Sequence, residues 1–348
     1  MLREKIGFGI IGLGNVAATQ AYALEHSAYC YLAAVYSSSE EKGRKYSDLY
    51  RCRHYTDLHD FLSDRNVSVV VISTPSGLHR DIALECLRKG KHILVEKPLE
   101  ITEERGEEIV REGKKLGLLV GGVFQNRFYD ASMLIRTAID RGRFGRIVML
   151  EASCKWLRDQ SYYDSGAWRG TKDIDGGGCL MNQAIHAVDL LQWFGGDVVS
   201  VSGSITTTAH ERIDVEDNGA AVVDFRSGAV GIINASTSIY PGFSRRIEIL
   251  GTEGSAVMED EALTVWKFRS GTEEDERIRE KYSSVRSSGA SSSATDLNYI
   301  GHMRQFDDFS SAVTGDGKLL VDGEEALKAV RIIRGIYRSS EEGRRITL

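Results

Sequence analysis

The run Gly12-Leu13-Gly14-Asn15-Val16-Ala17 constrains the fold of this 348-residue chain more than any other segment. It has the form G-x-G-x-x-A and stands between an apolar strand, Ile6 to Gly12, and a helix that opens after Asn15. Gly12 suits a tight turn, Gly14 lets backbone approach a pyrophosphate, and the small Ala17 permits close helix–sheet contact. The helix start then offers N–H groups and the positive end of its dipole to phosphates. A doubly wound α/β domain that binds a dinucleotide follows, with Gly12, Gly14, Asn15 and Val16 at the pyrophosphate.

The next hundred residues fit that domain. Tyr31–Ser37, Val67–Thr74, His92–Glu96 and Leu118–Phe124 read as strands separated by helical segments. The β-branched run Val67–Thr74 suits a central strand covered on both faces. Thr102–Leu116 reads as a capped amphipathic helix with Ile109, Val110 and Leu116 on one face. After Gln125 the texture changes. A helix over Met133–Arg141 leads into long alternating runs joined by hairpin-sized turns, which predict an antiparallel or mixed sheet in an α+β domain. The expected division is 1–125 and 126–348, with a closing helix near Glu324–Arg338 able to pack back on the first domain. Gly271–Thr295 is rich in Ser, Glu and Arg and reads as a surface loop, either mobile or ordering over a substrate.

Composition narrows the function classes. A formal net charge of −6 argues against nucleic acid or an anionic membrane surface as partner. Five scattered cysteines without a C-x-x-C pair suit a reducing compartment and do not suggest a metal site. No apolar stretch is long enough to span a bilayer, so a cytoplasmic location is expected.

Three places carry the chemistry. Where a NAD-preferring site holds the ribose diol with a carboxylate, the second strand ends in Ser37-Ser38-Ser39. Hydroxyls tolerate a 2′-phosphate, with Lys42 or Arg44 near, so the residues favour NADP(H) over NAD(H). Thr74-Pro75-Ser76-Gly77-Leu78-His79 and Glu96-Lys97-Pro98 each end a strand at the carboxyl edge, where doubly wound sheets bind ligands. Thr74, Pro75, His79 and Glu96 are candidate cofactor contacts, although His79 equally well starts the next helix. The Lys97 ammonium can hydrogen-bond a substrate oxygen. The third place is Gly176-Gly177-Gly178 followed by a helix with Asn182, His186 and Asp189 on one face. A histidine between an amide and a carboxylate can be held in one tautomer as a proton acceptor. Tyr163, Trp168 and Arg169 precede it, lining a sugar or cofactor site or forming a core tryptophan beside a surface arginine. Arg127 can meet a substrate carboxylate or phosphate, or form an ion pair at a domain interface.

Taken together, these motifs resemble the glucose-fructose oxidoreductase / inositol dehydrogenase / rhizopine-catabolism (Gfo/Idh/MocA) family over the whole chain. The resemblance implies a Rossmann domain plus an α+β domain with an open, mostly antiparallel sheet that joins dimers or tetramers. It places the catalytic lysine on Lys97, the catalytic histidine on His186, and a cis peptide before Pro98. Inositol-dehydrogenase-like members carry Asp where Asn182 stands, so an Asp–His dyad is not expected. QNRF (Gln125 to Phe128), Arg143–Ile147, Tyr162–Thr171 and the Met181–His186 segment are similar to the UDP-N-acetylglucosaminuronate 3-dehydrogenase branch. The reaction implied is hydride transfer between nicotinamide and a secondary alcohol of a sugar or UDP-sugar. Lys97 and His186 share the proton and oxyanion roles in either order. A glycosidase using transient C3 oxidation and a non-catalytic cofactor-binding regulator are the alternatives. A regulator could dispense with both Lys97 and His186.

Overall fold

The computed structural model describes residues 5–284 and 299–348. Its strands are β1 Ile6–Ile11, β2 Cys30–Tyr36, β3 Arg53–Tyr55, β4 Val69–Ile72, β5 His92–Val95, β6 Val120–Gly122, β7 Ile147–Lys155, β8 Val198–Thr206, β9 Asn218–Phe225, β10 Val230–Ser236, β11 Arg246–Gly251, β12 Gly254–Glu259, β13 Ala262–Phe268 and β14 Ile346–Thr347. The helices are α1 Asn15–His26, α2 Glu40–Tyr50, α3 Leu58–Ser63, α4 His79–Arg88, α5 Glu103–Leu116, α6 Asp130–Asp140, α7 Gln160–Asp164, α8 Ile185–Gly195, α9 Glu273–Tyr282, α10 Ile300–Val313 and α11 Gly323–Glu342. Described residues 5–128 and 299–327 form one compact unit, and 129–284 with 328–348 form the other.

The first unit holds a parallel sheet in the order β3-β2-β1-β4-β5-β6. All four residues of β4 are buried, as a central strand requires. Strand order reverses between β1 and β4, which makes their carboxyl ends the topological switch point of the sheet. Phe8, Ile10, Val35, Val69 and Leu94 pack with Phe306 and Phe309 of α10, so a helix distant in sequence completes this core. Thr102 caps α5 by accepting the Arg105 N–H, and Ile109 and Val110 are buried. Leu116 departs from the expected face: it lies on the last turn, beside the left-handed Gly117, and is exposed.

The second unit is built on an eight-stranded sheet, β13-β12-β11-β7-β10-β9-β8-β14, in which only the β7–β10 pairing is parallel. Burial alternates along β9, with Gly219, Ala221, Val223 and Phe225 inward. Residues 271–284 correct the loop expectation. Thr272 and Asp275 form a reciprocal capping box that starts α9, and the buried Asp275 also takes Trp266 and Arg143 as donors. The Arg143 guanidinium holds the Asp275 carboxyl well below the usual range. The remainder of that stretch, 285–295, lies outside the described residues. All five cysteines are buried thiols. No helix among the described residues is long and apolar enough to cross a membrane.

Candidate active site

Every candidate of the first unit follows the end of a parallel strand and so lies on one edge of the sheet. At Gly12 φ is +93°, and a Cβ there would sit 2.7 Å from the Ser73 backbone, so this turn needs glycine. Gly14, the N-cap of α1, contrasts with it: a Cβ there would meet nothing within 4 Å, and no side chain caps the helix. Uncapped N–H groups beside open space, with Asn15 exposed and Val16 half-buried, form a cradle that fits a pyrophosphate. The Thr74 hydroxyl at the end of β4 is buried without a hydrogen-bond partner, which also fits a ligand on this edge. Ser37 follows β2 directly and its hydroxyl accepts the Ser39 N–H at 3.1 Å, while Ser38 is exposed. Arg44, a candidate for a 2′-phosphate, is engaged by Glu40 at 2.8 Å.

The lysine turn is braced from several sides. The Lys97–Pro98 peptide is cis. Buried His79, the first residue of α4, places its two ring nitrogens 3.0 Å from the Pro98 and Thr74 carbonyls, tying one turn to the other. Burial lowers its pKa, against the two carbonyls, which favour the charged ring. Arg105 bridges the Glu100 carboxylate and the Gly77 carbonyl, at 2.8 Å each. Glu96 turns inward, accepting from Gln20 at 2.7 Å and from the Lys97 N–H at 3.1 Å, while Ser73 donates to Gln20. Lys97 is half-exposed, whereas its neighbours from Ile93 to Glu100 are buried.

Burial pushes the Glu96 carboxyl up to about 7, against the opposing charge and N–H of Lys97. The folded protein therefore holds this proton more tightly than the unfolded chain. The associated stability is fully present below the ordinary value of 4.5 and is lost as pH rises through about 7. The loss is on the order of 3 kcal/mol. In Glu96→Gln the stability difference between pH 5 and pH 8, measured by urea unfolding, should shrink by about that amount. An unchanged difference would mean that Glu96 titrates normally.

In the second unit the glycine motif leads into a π-helical turn, Cys179–Ala184, before α8 begins. Asn182 therefore belongs to the π turn and only His186 and Asp189 to regular α-helix, which modifies the single-face reading. From Cys179 to Gln192 only Asn182, Gln183 and His186 are partly exposed. Asp175 accepts from the Asn182 amide and, at 2.9 Å, from the Gly170 N–H. Glu216 organises the start of the turn: its carboxylate accepts from the Gly178 and Leu180 N–H groups and the Tyr337 hydroxyl, each at 2.9 Å. Its own carbonyl accepts the Cys179 N–H. These contacts explain the glycines, since a Cβ on Gly178 would fall 1.8 Å from the Glu216 oxygen.

The remaining candidates divide by burial. Asp189 is fully buried and offers no surface to a ligand. Arg127 is also fully buried and donates to Glu325 at 3.1 Å; this is an ion pair within one unit, not at a domain interface. Tyr163 is buried with its hydroxyl 2.9 Å from that of Thr237. Trp168 and Arg169 are half-buried, with the guanidinium 4.4 Å from the indole centroid. Sequence reading missed Gln20, Ser73, Glu100, Arg105, Asp175, Glu216 and Tyr337. All act on other side chains or backbone groups, and no local motif marks them.

Comparisons with known proteins bear on the fold and the family. Residues 6–123 match the model of an oxidoreductase family with an NAD-binding Rossmann fold, and residues 133–257 match the GFO/IDH/MocA C-terminal domain. The WlbA dehydrogenase from Bordetella pertussis, solved in complex with NADH and UDP-GlcNAcA, is 34% identical with a TM-score of 0.90, over 100% of this chain and 99% of that one. The WlbA enzyme from Chromobacterium violaceum, with the same two ligands, is 33% identical with a TM-score of 0.89, over 100% and 97%. A levoglucosan dehydrogenase from Pseudarthrobacter phenanthrenivorans is 30% identical over 232 residues, which span 59% of each chain. With both domains matched and a relative at 34% identity over its full length, the chain belongs to the GFO/IDH/MocA family of oxidoreductases.

Proposed function

We propose that this protein is a nicotinamide-dependent dehydrogenase or reductase of a nucleotide sugar, acting at C3 of a UDP-linked N-acetyl hexuronate. The observation that carries this reading is selective exposure. In the lysine and histidine motifs, Lys97 in one buried stretch, and Asn182, Gln183 and His186 in the other, are left partly open among buried neighbours. The similarity to two dehydrogenases solved with NADH and UDP-GlcNAcA supports the substrate class.

The cradle of Gly12, Gly14, Asn15 and Val16, with Ser37, Ser38, Thr74 and Pro75, would hold the coenzyme. When bound, the nicotinamide supplies the hydride acceptor or donor. His186 takes the hydroxyl proton as the carbonyl forms, and Lys97 hydrogen-bonds the same oxygen and stabilises its developing charge; the two roles are interchangeable in this chemistry. Asn182, held by Asp175, orients a sugar hydroxyl. His79, Glu96 and Arg105 fix the lysine turn without touching substrate.

Thermal unfolding in the presence of ligands tests the substrate class. UDP-N-acetylglucosaminuronate should raise the midpoint more than inositol or free glucose, and UDP alone should give part of the shift. Stabilisation and turnover with free sugars, and neither with UDP-sugars, would overturn the branch while leaving the family intact.

For the coenzyme, the serine pair after β2 places hydroxyls, not a carboxylate that would repel a 2′-phosphate, at the end of that strand. Ser37→Asp should therefore shift the kcat/KM ratio about tenfold toward NAD(H). An unchanged ratio would place the ribose elsewhere. We also propose that the outer face of the second sheet joins copies of this chain. Met149, Val222 and Val230 are exposed on its central strands, and a partner's sheet would cover them symmetrically. Light scattering should report a dimer or tetramer, and a monomer at micromolar concentration would contradict this.

A further inference from the structure

Next to the Asn182 turn lies a cluster that the chemistry above does not use. Arg169 donates to the Tyr162 hydroxyl at 2.9 Å, and its guanidinium carbon stands 4.5 Å from the Tyr162 ring centroid. Arg158 is 5.4 Å from the same ring and donates to Gln183 at 3.3 Å. Gln183 in turn donates to the Tyr162 hydroxyl at 3.1 Å and to Asn182 at 3.3 Å, so the cluster is continuous with the π turn.

Its charge is uncompensated. Neither guanidinium has a carboxylate at ion-pair distance among the described residues, whereas Arg143 and Arg212 of the same unit each have one. Asp164 is taken by Arg212 at 2.8 Å, and Asp175 by Asn182 and the Gly170 N–H. The Arg158 Nε is buried without a hydrogen-bond partner. Two half-buried guanidiniums, stacked on aromatic rings and spared a carboxylate, suit a planar or tetrahedral oxyanion that accepts forked hydrogen bonds. The stacking also fixes the forks in advance, which limits the entropy lost on binding.

We propose that Arg158 and Arg169, braced on Tyr162, form a subsite for an oxyanion carried by the sugar substrate, a carboxylate or a phosphate. This assignment rests on the reading that Asn182 and His186 face a sugar.

The test is calorimetric titration of the coenzyme-loaded protein with glucuronate, UDP and glucose. At least one anion should bind about tenfold or more tightly than glucose, and Arg158→Gln and Arg169→Gln should each remove most of that preference. Raised salt should weaken it in the wild type. Binding of glucuronate assigns the carboxylate as occupant, and binding of UDP assigns the phosphates. Tyr162→Phe, which keeps the ring but loses the hydroxyl, covers the case in which a glutamine variant fails to fold; it should lose part of the preference. Absence of an anion preference in the wild type, or its survival in every folded variant, would overturn the proposal. If the anion preference depends on both arginines but no sugar reduces the coenzyme, the subsite stands and the dehydrogenase reading falls.

Discussion

Lys97→Met and His186→Ala should each lower kcat by about 10²-fold or more, the usual scale for a group that moves or holds a proton in the transition state. Coenzyme affinity should remain close to that of the wild type. Lys97 follows β5, and the phosphate cradle follows β1, so methionine removes an ammonium without disturbing the glycine turn. His186 stands in the first turn of α8, half-exposed among buried neighbours, so alanine leaves the packing of that helix intact. The checks are steady-state kinetics and coenzyme titration by nicotinamide fluorescence. Near-normal turnover in both variants would remove them from catalysis. Loss of coenzyme binding would instead make them coenzyme ligands.

The second large effect separates two glycines that look alike in sequence. Gly178→Ala should cost about 3 kcal/mol, because its Cβ would fall on a backbone carbonyl that cannot move aside. The Glu216 clamp would open with it, so turnover should fall as well. Gly14→Ala should cost no more than about 1 kcal/mol, since its φ of −85° is open to any residue and its Cβ meets no atom. Coenzyme affinity, however, should fall at least about tenfold, because the methyl group would occupy the pyrophosphate cradle. Denaturant unfolding and coenzyme titration of both variants check the contrast. Equal destabilisation, or an unaltered coenzyme affinity in Gly14→Ala, would contradict the roles assigned.

The pattern behind these effects also explains what the sequence could reveal. Strand ends and the glycine turn are local: Gly12 and Ala17 act within six residues, and β4 announces itself as an uninterrupted β-branched run. The lysine and histidine motifs are legible for the same reason, each being a short string at the end of one element. The partners are not. Glu216 lies 38 residues from Gly178 and Tyr337 another 121 further on, and an isolated glutamate before a strand looks like any other. The short β3 and helix α10 went unseen because β3 has three residues and α10 interleaves Arg304, Asp307 and Asp308 with its core phenylalanines. For Arg127 the sequence leaves a ligand contact and an ion pair both open; the fold buries it fully beside Glu325, a partner 198 residues away.

The most direct test of the account is a single turnover with UDP-N-acetylglucosaminuronate deuterated at C3 and oxidised coenzyme, followed by mass spectrometry of both products. Deuterium should appear in the reduced nicotinamide in proportion to a sugar that has lost two hydrogen atoms, and Lys97→Met and His186→Ala should slow its appearance. Coenzyme that stays unlabelled while the protein reduces it with other alcohols, or glycoside cleavage without net coenzyme reduction, would contradict the assignment.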